Sequence, residues 1–169
     1  MERPVSVTRA TQVLTALVLV SGVTAVLAVF LRDDLIRSWA EGHRTAREIV
    51  RQGGIEALEQ STINPPAFVP VAVVLFVVFA ALAWVLIIFI RAGHEWARLT
   101  LAGSLVLMAI ATGGGMRTSP PTIFVVMAWL SIALEAVLLY FLAHRDTTAY
   151  IRGTWEPDPE PERAAVEPA

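Results

Sequence analysis

The stretch WLSIALEAVLLYFL, residues 129–142, is oily along its whole length except for Ser131 and one carboxylic acid, Glu135. Extended outward it becomes an apolar run over 122–143, close to the roughly 20 residues needed to cross a hydrocarbon core of about 30 Å. Three further runs of this kind occupy about 11–31, 67–90 and 97–115. The chain has 169 residues, 56% of them hydrophobic, and a mean hydropathy of +0.63, too apolar for an ordinary soluble domain. The pattern therefore predicts an all-α integral membrane protein, a four-transmembrane-helix bundle covering 1–152. Backbone groups in lipid must be satisfied within each helix, so the bundle is the one sizeable core such a chain can build.

Charge sets the expected topology. All 13 basic residues are Arg, and there is no cysteine, which excludes disulfides, thiolate metal sites and Cys-x-x-Cys redox chemistry. Arg3 and Arg9 precede the first run, Arg91 and Arg98 flank the second connection, and Arg145 and Arg152 follow the fourth run. The positive-inside rule then favours both termini in the cytoplasm of a bacterial cell, with a multi-pass inner-membrane location, against the complication that the 32–66 connection holds five Arg alongside six acids, which count for little in that rule. The first run ends near a Val-x-Ala site at Ala28, but it is longer than the 7 to 15 apolar residues of a signal peptide and reads as a retained span. The segment 153–169, GTWEPDPEPERAAVEPA, is rich in proline and acid and reads as a disordered tail.

The 32–66 connection carries its own period. Leu35, Ile36, Trp39, His43, Ala46, Ile49 and Val50 fall within an arc of about 140° at 100° per residue, with charges opposite. This predicts one amphipathic extracytoplasmic helix between spans one and two. Gly53-Gly54 should end it, 55–60 should form a short further helix, and Asn64-Pro65-Pro66 should lead extended into the second span. Leu35, Trp39, Ala46 and Val50 are the candidate interface, covering this protein's own bundle, the outer leaflet or a partner. In the second connection, RAGHEWAR, Arg91, Trp96 and Arg98 are candidate membrane anchors, and Gly93 is the expected helix terminator.

Glu135 is the one ionisable carboxyl inside a span, where a charge costs about 2.5 to 3.5 kcal/mol at the centre on insertion scales. Its stripe on the fourth span carries Ala128 and Ser131, so it should face the bundle. The third span offers Ala97, Thr100, Ser104, Met108, Ala111 and Gly115 on one stripe of mostly small residues. Counted at 1.5 Å per residue from the turn that joins the two spans, Ser104 lies roughly 18 Å deep, Glu135 roughly 21 Å and Thr100 roughly 24 Å. Glu135, Ser104, Thr100 and Ser131 thus form a candidate intramembrane polar cluster, in which the neutral acid would hydrogen-bond the hydroxyls. The three His form no ligand spacing, and Gly113-Gly114-Gly115 lacks the Lys-Ser/Thr of a phosphate loop and reads as flexible, close-packed backbone before a turn. Neither a metal, a cofactor nor a nucleic-acid partner is expected.

Around Gly93, Trp96, Ala97 and Arg98 the chain resembles small, mostly uncharacterised four-span membrane proteins of high-GC Gram-positive bacteria, in which a Gly-x-x-Trp-Ala-Arg turn links spans two and three. That resemblance implies an architecture and a host, without an activity. The expected function is a non-enzymatic membrane accessory or scaffold protein, whose partners are the lipid bilayer and either a larger membrane complex or further copies of itself. The alternative is a small proton-linked or solute transporter that uses Glu135.

Overall fold

The computed structural model describes residues 4–155, and every regular element among them is a helix. In chain order these are α1 (Val5–Phe30), α2 (Arg32–Glu41), α3 (Arg44–Glu59), α4 (Phe68–Arg91), α5 (Glu95–Met116), α6 (Thr122–Ala143) and α7 (Arg145–Ile151). Four of them, α1, α4, α5 and α6, are long and apolar enough to cross a membrane, which fits a multi-pass membrane protein. Residues 156–169, most of the acidic tail, lie outside the described residues.

The span boundaries follow local chemistry. Pro4, with φ −56°, leads into the first turn of α1, so the helix starts at Val5 rather than near residue 11. Its extra turns place Val7 and Ala10 on the buried stripe that continues through Leu14 and Leu17. Pro70 is accommodated in the first turn of α4, where its missing N–H would have had no helical partner. Gly93 ends α4 as expected, with φ +81°. The amide of Gly93 donates to the Ile90 carbonyl and that of His94 to the Phe89 carbonyl, both at 3.0 Å, the paired bonds of a Schellman cap.

Two corrections concern backbone form. The amphipathic segment is not one helix: it breaks at Gly42 and His43, and α2 and α3 fold back against each other as a hairpin. The ring N–H of His43 donates to the Trp39 carbonyl at 2.8 Å, and the ring stacks on Trp39 at 4.4 Å, so the last turn of α2 is capped by the residue that leaves it. The expected interruption at Gly53-Gly54 is present as a kink within α3, where Gly54 takes φ +75° and ψ −168°, a conformation essentially reserved for glycine. Gly54→Val should therefore cost about 1–3 kcal/mol at this site and raise amide exchange in 52–60, read by hydrogen-exchange mass spectrometry. The glycine triplet is the second correction. Gly113, Gly114 and Gly115 stay helical, and a Cβ at any of them would meet nothing within 4 Å, so the backbone is not close-packed there.

The spans form a ring. α1 packs most extensively, against α6 and α4, and α5 closes the ring against both of those. Gly22 lets α1 approach α4: a Cβ there would sit 3.1 Å from the Phe76 ring. Gly22→Leu should force the two helices apart and lower stability by about 1–3 kcal/mol, seen as a lower melting temperature in detergent.

Burial is uneven along the ring. The continuous core holds Leu14, Leu17, Ala83, Leu86, Leu101 and Leu138 among others, and lies toward the end that carries the termini. On α4 the buried residues begin at Phe79, on α5 they stop at Leu105, and on α6 they begin at Glu135. Toward the hairpin, α4, α5 and α6 contribute no buried residue. The termini end is also locked by polar contacts that periodicity did not foretell. Thr147 of α7 is fully buried, donates to the Phe141 carbonyl at 2.8 Å, and lies 2.9 Å from the Ser6 hydroxyl. Arg98 donates to the Thr148 hydroxyl at 2.8 Å, and the Tyr150 hydroxyl donates to the Arg91 carbonyl at 2.9 Å.

At the other end, the hairpin has a small core of its own. Ile36, Ala40, Ala46 and Leu58 are buried there, with Phe68 of α4 packed against them. The Ser38 hydroxyl donates to the Ser119 carbonyl at 2.7 Å, tying α2 to the turn between α5 and α6. The hairpin thus lies across that end of the ring.

Candidate functional site

Glu135 occupies the inward stripe of α6 with Leu138 and Leu142, and only 2% of its surface is exposed. The expectation that it faces the bundle therefore agrees with the structure. Its surroundings do not follow the expected cluster. Neither Oε1 nor Oε2 has a hydrogen-bond partner among the described residues. Ser104 donates instead to the carbonyl of Thr100 at 2.8 Å, Thr100 itself is exposed, and Ser131 is half-buried with no bond to the acid.

The difference is one of azimuth on α5. Its buried stripe is Ala97, Leu101 and Leu105, so Ser104 is rotated about 100° away from the residue that occupies the centre. Packing small residues inward is a tendency of paired helices that approach closely. In a ring of four, leucines fill the middle, and Thr100, Ala111 and Gly115 turn outward.

The register around the acid comes from a small void of about 10 Å³ lined by Leu14, Ile87, Leu101, Leu138 and Leu142 with neighbouring residues of α1 and α4. That volume is at the lower limit for one water, and its walls are apolar. One helical turn nearer the hairpin, about 5 Å along the axis, come Leu17, Ala83 and Leu105, level with Glu135. All three are hydrocarbon. Leaving a polar group buried without a partner costs about 1–3 kcal/mol, and more for a charged one. Such a group inside a span makes Glu135 the candidate functional residue of the bundle.

The candidate interface residues are spent locally. Trp39, Ala46 and Val50 pack within the hairpin core, and Leu35 is half-buried outside it. What the hairpin presents outward is charge. Open grooves of about 460 Å³ run along the α2–α3 seam, one of them lined by Arg37, Glu41, Arg47 and Arg51. Arg47 donates to the Glu41 carbonyl at the end of α2, and Arg32 pairs with Glu59 across the seam.

The candidate anchors differ among themselves. Arg91 is exposed; Trp96 is 48% exposed and packs its ring 4.8 Å from Phe89. Arg98 is drawn in toward α7, its side chain 15% exposed, and bridges Glu95 and Thr148. Among the described residues there is no group of acids and histidines able to hold a metal ion. No protein-family model, curated protein or solved structure matches the chain.

Proposed function

We propose that the protein is a non-enzymatic scaffold or accessory protein of a bacterial cell membrane, with both termini cytoplasmic and the α2–α3 hairpin outside. The orientation rests on Arg9, Arg91, Arg98, Arg145 and Arg152, which gather at the termini end of the ring, and is opposed by Arg32, Arg37, Arg44, Arg47 and Arg51 on the hairpin. The observation that carries the functional reading is the hairpin. It satisfies its apolar arc internally, is fixed to the bundle through Ser38 and Ser119, and presents an arginine-lined groove to solvent. A rigid charged element on a packed membrane base suits recognition of a partner, either a larger complex or a second copy, better than turnover.

The test is gentle detergent extraction of the native protein compared with an Arg37→Glu, Arg51→Glu double variant. Both side chains are exposed, so the fold should be unaffected. A defined heteromeric or homo-oligomeric mass that collapses to the monomer in the variant supports the reading. A monomeric native protein, or an assembly indifferent to the variant, contradicts it.

One observation favours a second reading, a small proton-linked or solute transporter using Glu135: its carboxyl oxygens are buried with no protein partner. On this reading Glu135→Gln, nearly the same shape, keeps the assembled fold and abolishes proton-linked flux in vesicles. Unchanged flux, or none in the native protein, removes it.

A further inference from the structure

The packing asymmetry of the ring assigns a direction to Glu135. Toward the termini the acid is sealed by Leu14, Leu86, Leu101, Leu138 and Leu142, none more than 3% exposed. Toward the hairpin the packing is thinner: α4, α5 and α6 bury nothing beyond Phe79, Leu105 and Glu135, and α1 buries only the small Ala25 and Ala28. The inward stripes continue in that direction with different chemistry. The stripe Leu14–Leu17 on α1 leads to Ser21, Leu101–Leu105 on α5 leads to Thr112, and Leu138–Glu135 on α6 leads to Ser131. All three hydroxyls are half-buried, and none has a hydrogen bond within the protein among the described residues, unlike Thr11 and Thr24, which are bonded to their own helix.

By helical rise, Ser131 and Ser21 stand about 6 Å from the Glu135 layer and Thr112 about 10 Å, all on the hairpin side. Side chains on a helix lean toward its N-terminus, and the N-terminus of α6 is the hairpin end. The carboxyl therefore leans toward Ser131 and away from Leu138.

We propose that Glu135 exchanges its proton with the hairpin side of the membrane, through a half-path whose polar steps are Ser131, Ser21 and Thr112 and whose mouth lies under the hairpin. The proposal rests on the reading of Glu135 as a working acid and adds the side that serves it. No other charge competes at that level. The charged groups on the surrounding spans are Arg9 on α1, Arg91 on α4, and Glu95 and Arg98 on α5, all at the termini end, while Tyr140 of α6 is 63% exposed on its outer face. His144, Arg145 and Asp146 follow α6 at the same end.

The experiment uses full-length protein reconstituted in one orientation in vesicles and labelled with dicyclohexylcarbodiimide. The acid's oxygen bonds to the central carbon of the reagent while its proton passes to a reagent nitrogen, so the rate follows the protonated fraction. The pH of each compartment is varied with the other held fixed, and the modified peptide is quantified by mass spectrometry. We expect the rate at Glu135 to follow hairpin-side pH, falling about tenfold per unit once the acid is mostly ionised, and to ignore the other side. Ser131→Val and Ser21→Val should slow that response severalfold, while Thr11→Val, on the sealed side, leaves it unchanged. A response to termini-side pH overturns the direction and leaves the working acid standing. No labelling, or labelling indifferent to both compartments, overturns both. If a serine variant fails to fold, the two-sided titration of the native protein still decides.

Discussion

Glu135→Leu should make the isolated protein more stable. The native carboxyl lies level with Leu17, Ala83 and Leu105 and finds no protein partner, so it contributes an uncompensated desolvation cost of about 1–3 kcal/mol. Leucine removes that cost at similar volume, and leucines already occupy neighbouring positions on the stripe at 138 and 142. The expected readout is a melting temperature in detergent several degrees above the native value, accompanied by loss of any proton-linked activity. Had the acid served as glue to Ser104, Thr100 or Ser131, the same substitution would loosen the bundle, as loss of interhelical hydrogen bonds does at about 1 kcal/mol each. The two accounts predict opposite signs. Glu135→Gln keeps a polar group in the same place and should fall between.

Leu58→Asp should unfold the hairpin while leaving the spans assembled. The hairpin core has four buried residues, of which Ile36 and Leu58 are the large ones, and Leu58 is wholly inaccessible. Losing one leucine forfeits about 1.5–3 kcal/mol of burial, and placing a carboxylate there adds several kcal/mol unless the segment opens. No other buried cluster holds α2 to α3, so opening is the cheaper course. Limited proteolysis should then cut within residues 32–66, with the four spans protected as before. Release of the Ser38 to Ser119 bond should follow, exposing the turn between α5 and α6 to exchange. Resistance equal to that of the native protein would show that α2 and α3 are held chiefly by the membrane surface.

The features legible in the sequence are those set by local chemistry. Run length located the four long helices, Gly93 announced the cap of α4, and Gly54 announced the kink of α3, because each depends on a few adjacent residues. The break at Gly42 was hidden by continuity of period: His43 lies on the same apolar arc as Trp39 and Ala46, yet its backbone is extended and its ring stacks back on Trp39. The short helix α7 was invisible for another reason. It has too few residues to show a period, and its anchor, Thr147, depends on Ser6 at the far end of the chain.

The Glu135 layer shows where pattern and packing part. Depth along the axis, counted by helical rise, put the acid between Ser104 and Thr100, whereas counting from the buried stripes puts it level with Leu105, about 4 Å away. Azimuth depends on how four helices share a centre, and Leu105 rather than Ser104 took that place. Ser21 and Thr112 were legible in principle as continuations of the buried stripes of α1 and α5. Their significance came only from the burial pattern, which on α4, α5 and α6 stops near the level of Glu135 on the hairpin side.

The reading of Glu135 rests on a carboxyl buried in the ring without a protein partner among the described residues. Its most direct test is the infrared carbonyl stretch of the native protein, taken as a difference against Glu135→Gln. We expect a band in the region of a protonated carboxylic acid that accepts no strong hydrogen bond, absent from the variant. A carboxylate band, or the lowered carbonyl frequency of an acid firmly bonded to a hydroxyl, would contradict it.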